Sequence, residues 1–239
     1  MLFNSFKLIT STLNKRVTLL FGIAALSRTV VALLQIFSGI KSVPASPLGA
    51  WSDFYSIYGI DLHSLSSGLL PYKDFGYWYP PLFLYVLYMF YVIGGLHAAS
   101  IPVILADSAT APLIYSLAAF SAGKRVAFAS GLLYALLPVA LVEEGYLWLS
   151  SQPMTLLLLL SIYLLLRNYP ILSSLILAVS ILFKQEAVFI LPVYVFWYAF
   201  RGRSKMKKGF TVFVFSLFLA SLPFLVISPS YRTIEDLGK

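Results

Sequence analysis

The chain has 239 residues, 60% of them hydrophobic and 11% charged, with a formal net charge of +8 and no cysteine. So few charges, against roughly 25% in soluble domains, and a mean hydropathy of +0.88 exclude a soluble globular enzyme and mark a polytopic membrane protein. The lack of cysteine excludes disulfides and thiolate metal sites, His63 and His97 show no ligand spacing, and no phosphate-cradling glycine motif or basic-aromatic surface points to nucleotides or nucleic acid.

At the N-terminus Lys7, Lys15 and Arg16 precede the apolar run Val17–Ile40. Val43-Pro44-Ala45 resembles a signal cleavage site, but the run exceeds the roughly 7–15 residues of a signal core and suits a retained span of about 20. A polar-aromatic segment, Trp51–Pro81, follows. The further apolar runs are Pro81–Leu96, His97–Ser121, Val126–Val142, Pro153–Leu166, Ile171–Phe183, Ala187–Phe200 and Phe210–Ser228.

If every run crossed from a cytoplasmic N-terminus, Arg201, Arg203, Lys205, Lys207 and Lys208 would lie outside, against the positive-inside bias. Pro81–Leu96, with 16 residues opened by Pro80-Pro81, is therefore expected to lie in the outer interface without crossing. Lys7, Lys15, Arg16, Lys124, Arg125, Arg167 and the 201–208 cluster then share the cytoplasmic side. Asp53, Asp61, Asp74, Glu143, Glu144, Glu186, Glu235 and Asp236 fall outside. The expected fold is an all-α polytopic membrane helical bundle of about seven transmembrane helices, a single module over 1–239. It has juxtamembrane helices in a first outer loop, 41–96, and an outer tail, 229–239.

Ile171–Phe183 and Ala187–Phe200 read as a hairpin, because one continuous span would put Arg167 and the 201–208 cluster on opposite sides. Both arms, of 13 and 14 residues, fall short of the ~30 Å hydrocarbon layer at ~1.5 Å per residue. The tip Lys184-Gln185-Glu186 is thus expected below the membrane surface and lining a recess, since an ion facing lipid costs several kcal/mol. Arg28 and Asp107 lie midway along their runs and are expected to form a structural ion pair between helices.

Four sequence elements carry a resemblance. Ser52-Asp53-Phe54-Tyr55, then Gly-x-x-Pro-Tyr-x-Asp-Phe from Gly68 to Phe75, then Tyr79-Pro80-Pro81-Leu82 make up the first element. Gly123-Lys124-Arg125-Val126-Ala127, Leu137-Pro138, and Phe183-Lys184-Gln185-Glu186 with Leu191-Pro192-Val193 follow in order. Together they resemble the C-superfamily glycosyltransferases, multi-pass enzymes that use polyprenyl-phosphate-linked sugars. The resemblance implies a seven-helix module whose first outer loop carries a catalytic acid. On this reading Asp53 is the general base toward an acceptor hydroxyl and Asp74 a second candidate, and the sugar, a mannose-like hexose, inverts as the lipid phosphate leaves.

Lys184 is the expected contact for the donor phosphate, with Glu186, Tyr72 and Tyr79 beside it on the substrate side. The plainer readings are a helix cap or loop acid for Asp53, a turn for Asp74, a pairing with Glu186 for Lys184, and interface aromatics for Tyr77, Trp78 and Tyr79. Glu143 and Glu144 open the second outer loop, where a solvated edge is the plainer reading. Metal-dependent members carry Asp-x-Asp in that loop. Here Ser150-Ser151-Gln152 stands near that place, so a metal is disfavoured and no cofactor is expected.

The expected partners are a polyprenyl-phosphate sugar lipid and the bilayer, with no nucleic acid. Superfamily members continue for several more spans, so the chain also reads as a fragment, a non-catalytic relative, or one half of a split enzyme completed by a second membrane subunit. A lipid-phosphate carrier ranks last, because acids and bases separate to opposite sides.

Overall fold

In lipid a backbone must satisfy its own polar groups, which a helix does within one segment. The computed structural model describes residues 15–38, 54–149, 151–201 and 203–227, and the regular elements among them are all helical. They are α1 (Lys15–Ser38), a π-helical turn (Phe54–Tyr58) leading into α2 (Gly59–Ser66), α3 (Leu82–Ala99), α4 (Ile101–Ala118) and α5 (Lys124–Leu136). A short piece, Pro138–Ala140, then enters a second π-helical turn, Leu141–Tyr146. Beyond it come α6 (Ser151–Leu166), α7 (Pro170–Phe183), a 3-10 turn (Gln185–Ile190), α8 (Leu191–Arg201) and α9 (Arg203–Ile227).

Four of the described helices, α1, α3, α4 and the Lys207–Val226 part of α9, are long and apolar enough to cross a membrane, and α6, α7 and Gln185–Phe200 are shorter apolar helices. The chain is an all-α membrane bundle. α3 meets the length requirement in sequence more than in shape. Gly94 (φ −152°, ψ 27°) and Gly95 (φ 66°, ψ −156°) break it, the latter in a region that only glycine occupies without strain. The straight part, 82–93, covers ~18 Å at 1.5 Å per residue, little more than half of a ~30 Å hydrocarbon layer.

α4 is the central helix, packed on α1, α5 and α6. Half of its apolar window is buried, against 6% of that of α9. Its buried face is built from Ala106, Asp107, Ser108, Thr110 and Ala111, small side chains that let neighbouring backbones come close. Gly131 on α5 serves the same end: a Cβ there would lie 2.9 Å from both the Ala111 carbonyl oxygen and Leu20 Cδ1.

Arg28 and Asp107 meet in this core. Both are fully buried, and Arg28 Nε donates to Asp107 Oδ2 at 2.5 Å. The sequence after α5 explains the rest of the arginine's bonding. Pro138 has no N–H to offer the Tyr134 carbonyl one turn back, and Leu137 leaves helical geometry (ψ 120°). Arg28 Nη2 takes up that carbonyl at 3.2 Å, and Nη1 donates to Ala135 O. A guanidinium therefore closes the C-terminus of α5, where a positive charge also suits the helix dipole. The Tyr134 hydroxyl donates to the other Asp107 oxygen and lies 3.3 Å from Gln152 Oε1.

α6 and α7 run antiparallel in a register set by a stripe on α7. Ser173 Oγ donates to Ser161 O at 2.6 Å and Ser180 Oγ to Met154 O at 2.9 Å, with Leu177 buried between them. Residues 173, 177, 180 and 184 share one helical face, so the same register carries Lys184 to Ser151. α8 folds back on α7, where the Tyr194 and Tyr198 hydroxyls meet Ser173 and Ser174 at 2.7 and 2.9 Å. This is a hairpin rather than one continuous helix.

The two ends of the bundle differ chemically. At one, Arg16 donates to Lys124 O at 3.2 Å, Arg167 lies 5.2 Å from the Phe120 ring centre, and Lys207 stands beside Tyr198. At the other lie α2, the loop before α3, the start of α6, the tip after α7 and Phe224 near the end of α9.

Candidate functional site

The non-basic end is organised by aromatic rings. Tyr58 stacks on Tyr79 (6.0 Å, 13°) and meets Phe83 edge-on at 5.4 Å, and Phe83 in turn reaches Phe183 on α7 at 5.5 Å. Phe54 and Tyr55 pack on Trp148, which follows the second π-helical turn, at 5.5 and 5.4 Å. The outer loop is thereby fastened to α7 and to the segment before α6.

The turn from Leu70 to Phe75 presents two of the tyrosines. Tyr72 N–H bonds to Phe75 O at 2.9 Å, and Asp74 Oδ2 accepts the Leu70 N–H at 2.8 Å. Asp74 thus closes its own turn from an exposed position, and among the described residues no ion pair joins it to the rest of the site. Tyr72 adopts φ 65°, a conformation costing an L-residue about 1–2 kcal/mol. It is held there by burial, by an edge contact with Phe224 at 5.8 Å and by its hydroxyl, which donates to Tyr79 O.

Lys184 converges on Tyr79 from the opposite side. Its ammonium lies 5.2 Å from the Tyr79 ring centre, donates to Ser151 Oγ at 3.0 Å and stands 3.6 Å from Glu186 Oε1. The lysine side chain is 12% exposed and that of Glu186 46%. α7 ends at Lys184, whose extended backbone (φ −157°, ψ 128°) turns the chain into the 3-10 segment. The cation is delivered to the first residue of α6, a helix end with no acid in its first turn. A positive charge at the positive end of a helix dipole is unfavourable by about 0.3–1 kcal/mol. The ring face and Glu186 offset part of this, and an anion placed between Lys184 and the α6 amides would offset the rest.

No family model, curated protein or solved structure matches the chain. The chemistry of this end therefore rests on its own geometry.

That geometry brings together Tyr72, Tyr79, Lys184 and Glu186. Asp53 lies outside the described residues, while its sequence neighbour Phe54 is fully buried. Arg28 and Asp107 sit in the core below, joined to the site through Tyr134 and Gln152, the residue after Ser151. Glu143 is exposed, and its carbonyl accepts the Leu149 N–H at 3.0 Å. Among the described residues no group of three or more histidines and acids could hold a metal ion.

One acid of the site went unremarked as a candidate in the sequence. Asp61 on α2 is 8% exposed while its neighbour Ile60 is 64% exposed, and Asp61 Oδ2 has no hydrogen-bond partner among the described residues. The signal was the helical spacing of Tyr58, Leu62 and Leu65, which puts position 61 on the buried face. Burial raises its carboxyl from 3.8 to about 6. The buried Tyr77 phenol beside it is held well above its ordinary range, first by desolvation and then by Tyr58, Tyr72 and Asp61.

A carboxyl whose folded-state value is raised binds its proton more tightly when folded, so between about pH 4 and 6 stability falls as pH rises. The full penalty at neutral pH is at most about 3 kcal/mol, at 1.36 kcal/mol per unit. Asp61→Asn is expected to remove this slope, so that its unfolding midpoint gains on that of wild type at pH 7.5 more than at pH 4. Parallel pH dependence of wild type and variant in detergent denaturation would contradict it.

Proposed function

We propose that the chain is a glycosyl-transfer module that takes a hexose from a polyprenyl-phosphate donor at the Lys184 end of the bundle. The supporting observation is the placement of Lys184: a largely buried cation on the Tyr79 face, at the N-terminus of α6, incompletely balanced by an exposed glutamate. Such a point attracts a phosphate monoester, and a preorganised cation there stabilises the charge that develops on a departing lipid phosphate. The partly exposed ring of Tyr79, positioned by the Tyr72 hydroxyl, supplies flat apolar surface of the kind that packs against a sugar.

Asp53, which precedes in sequence the Phe54 and Tyr55 that pack on Trp148, is the proposed base. It takes the proton from the acceptor hydroxyl as that oxygen bonds to the anomeric carbon and the lipid phosphate leaves with the bonding electron pair. The positive-inside bias puts the basic end in the cytoplasm and this site outside. Seven helices, α1 and α4 to α9, then cross, and α3, broken at Gly94-Gly95, stays in the outer interface.

The test is transfer of radiolabelled sugar from a polyprenyl phosphate by membranes carrying the chain. Transfer that disappears in Asp53→Asn at unchanged expression is expected, and equal activity would remove Asp53 from the base role. Absence of transfer with donor binding retained would favour the accessory-subunit reading. The chain has no cysteine of its own, so in the same membranes its Lys205→Cys variant should react with an impermeant thiol reagent only from the cytoplasmic side, and labelling of the chain from outside would overturn the orientation.

A further inference from the structure

At the basic end, away from the Lys184 site, α7, α8 and the start of α9 enclose a groove of about 380 Å³, in the size range of pockets that hold a small organic ligand. Toward the middle of the bundle it is walled by Leu177, Leu191 and Val195, and toward the basic end by Tyr198 and Lys207. Beside it α9 packs closely on α7 and α8 through Gly209, where a Cβ would fall 2.0 Å from the Tyr198 hydroxyl and 2.9 Å from Ser174 Oγ.

The tyrosines offer the groove their rings rather than unspent polar atoms. Tyr194 and Tyr198 are bonded to Ser173 and Ser174, and Tyr198 also donates to Pro170 O at 3.2 Å. Lys207 is the charged group of the lining and has no hydrogen-bond or ion-pair partner among the described residues. In sequence it sits among Arg201, Arg203, Lys205 and Lys208, and no acid occurs between Glu186 and Glu235. A narrow apolar slot that opens at an uncompensated cation matches an amphiphile with an apolar chain and an anionic head. A basic cluster at the cytoplasmic edge of a span faces the leaflet that holds anionic lipid.

We propose that this groove binds one anionic phospholipid, with an acyl chain between α7, α8 and α9 and its phosphate on Lys207. The assignment does not depend on the sugar-transfer reading. It is tested on the full chain extracted from vesicles of equal parts phosphatidylglycerol and phosphatidylcholine, with retained lipid counted by native mass spectrometry. Wild type should retain phosphatidylglycerol preferentially. Lys207→Glu should lower that retention about fivefold or more, and Lys208→Glu, the same charge change outside the groove lining, by less than about twofold.

Val195→Trp, which fills the slot from a largely exposed position, should lower retention of phosphatidylglycerol with helicity unchanged. If Lys207→Glu does not fold, Lys207→Gln reads the same headgroup contact. Equal retention of both lipids by wild type, equal losses in the two lysine variants, or full retention by Val195→Trp would each overturn the proposal. So would displacement of the lipid by excess inorganic phosphate.

Discussion

Lys184→Met is expected to lower sugar transfer by about two to three orders of magnitude, the usual effect of removing one preorganised contact to developing negative charge. The loss should fall mainly on kcat, because charge accumulates on the phosphate as the glycosidic bond breaks. Stability should change by less than about 1 kcal/mol. The Glu186 partner is nearly half exposed at 3.6 Å, and pairs of that kind contribute little. Lys184→Arg should restore part of the rate, since a guanidinium also binds phosphate but from a different reach. A Lys184→Met protein that loses fold and activity together would identify the lysine as structural, through its bond to Ser151.

Asp107→Ala should have the largest effect on stability. It strands the buried Arg28 guanidinium without its counter-ion, and breaking one side of such a pair costs about 3–5 kcal/mol. Arg28→Met should cost as much or more, because it also removes the guanidinium bonds to the Tyr134 and Ala135 carbonyls at the end of α5. The double replacement Arg28→Met with Asp107→Leu should be less damaging than the sum of the single changes, since no lone charge remains buried. Unfolding by graded denaturing detergent reads all of these, and additive losses would show that the pair is not coupled. The Asp107→Ala change should also reach the site, because Asp107 holds Tyr134, which lies against Gln152 next to the Ser151 that receives Lys184.

The helical class was legible because lipid leaves a backbone few options, and hydropathy reports those few directly. The meeting of Arg28 and Asp107 followed from similar depth along two apolar runs. Run length and two prolines make Pro81–Leu96 read as an interface helix, but they do not reveal the break within α3, because the positive φ at Gly95 is a conformation that periodicity does not encode. The placement of Lys184 was legible only in part. Arm lengths pointed to a submerged tip, whereas its partner Ser151 follows from the stripe of Ser173, Leu177 and Ser180, whose small hydroxyls look unremarkable among leucines. Asp61 escaped because its spacing becomes informative only once α2 is known to be a helix with Tyr58 on its inner face.

The claim that Lys184 marks a lipid-phosphate sugar site is tested most directly by photo-crosslinking. A polyprenyl-phosphate sugar carrying a benzophenone near its phosphate should label peptides containing Tyr79 or Lys184, with labelling competed by unmodified donor and lost in Lys184→Met. Labelling confined to the basic end around Lys207, or unaffected by Lys184→Met, would contradict it.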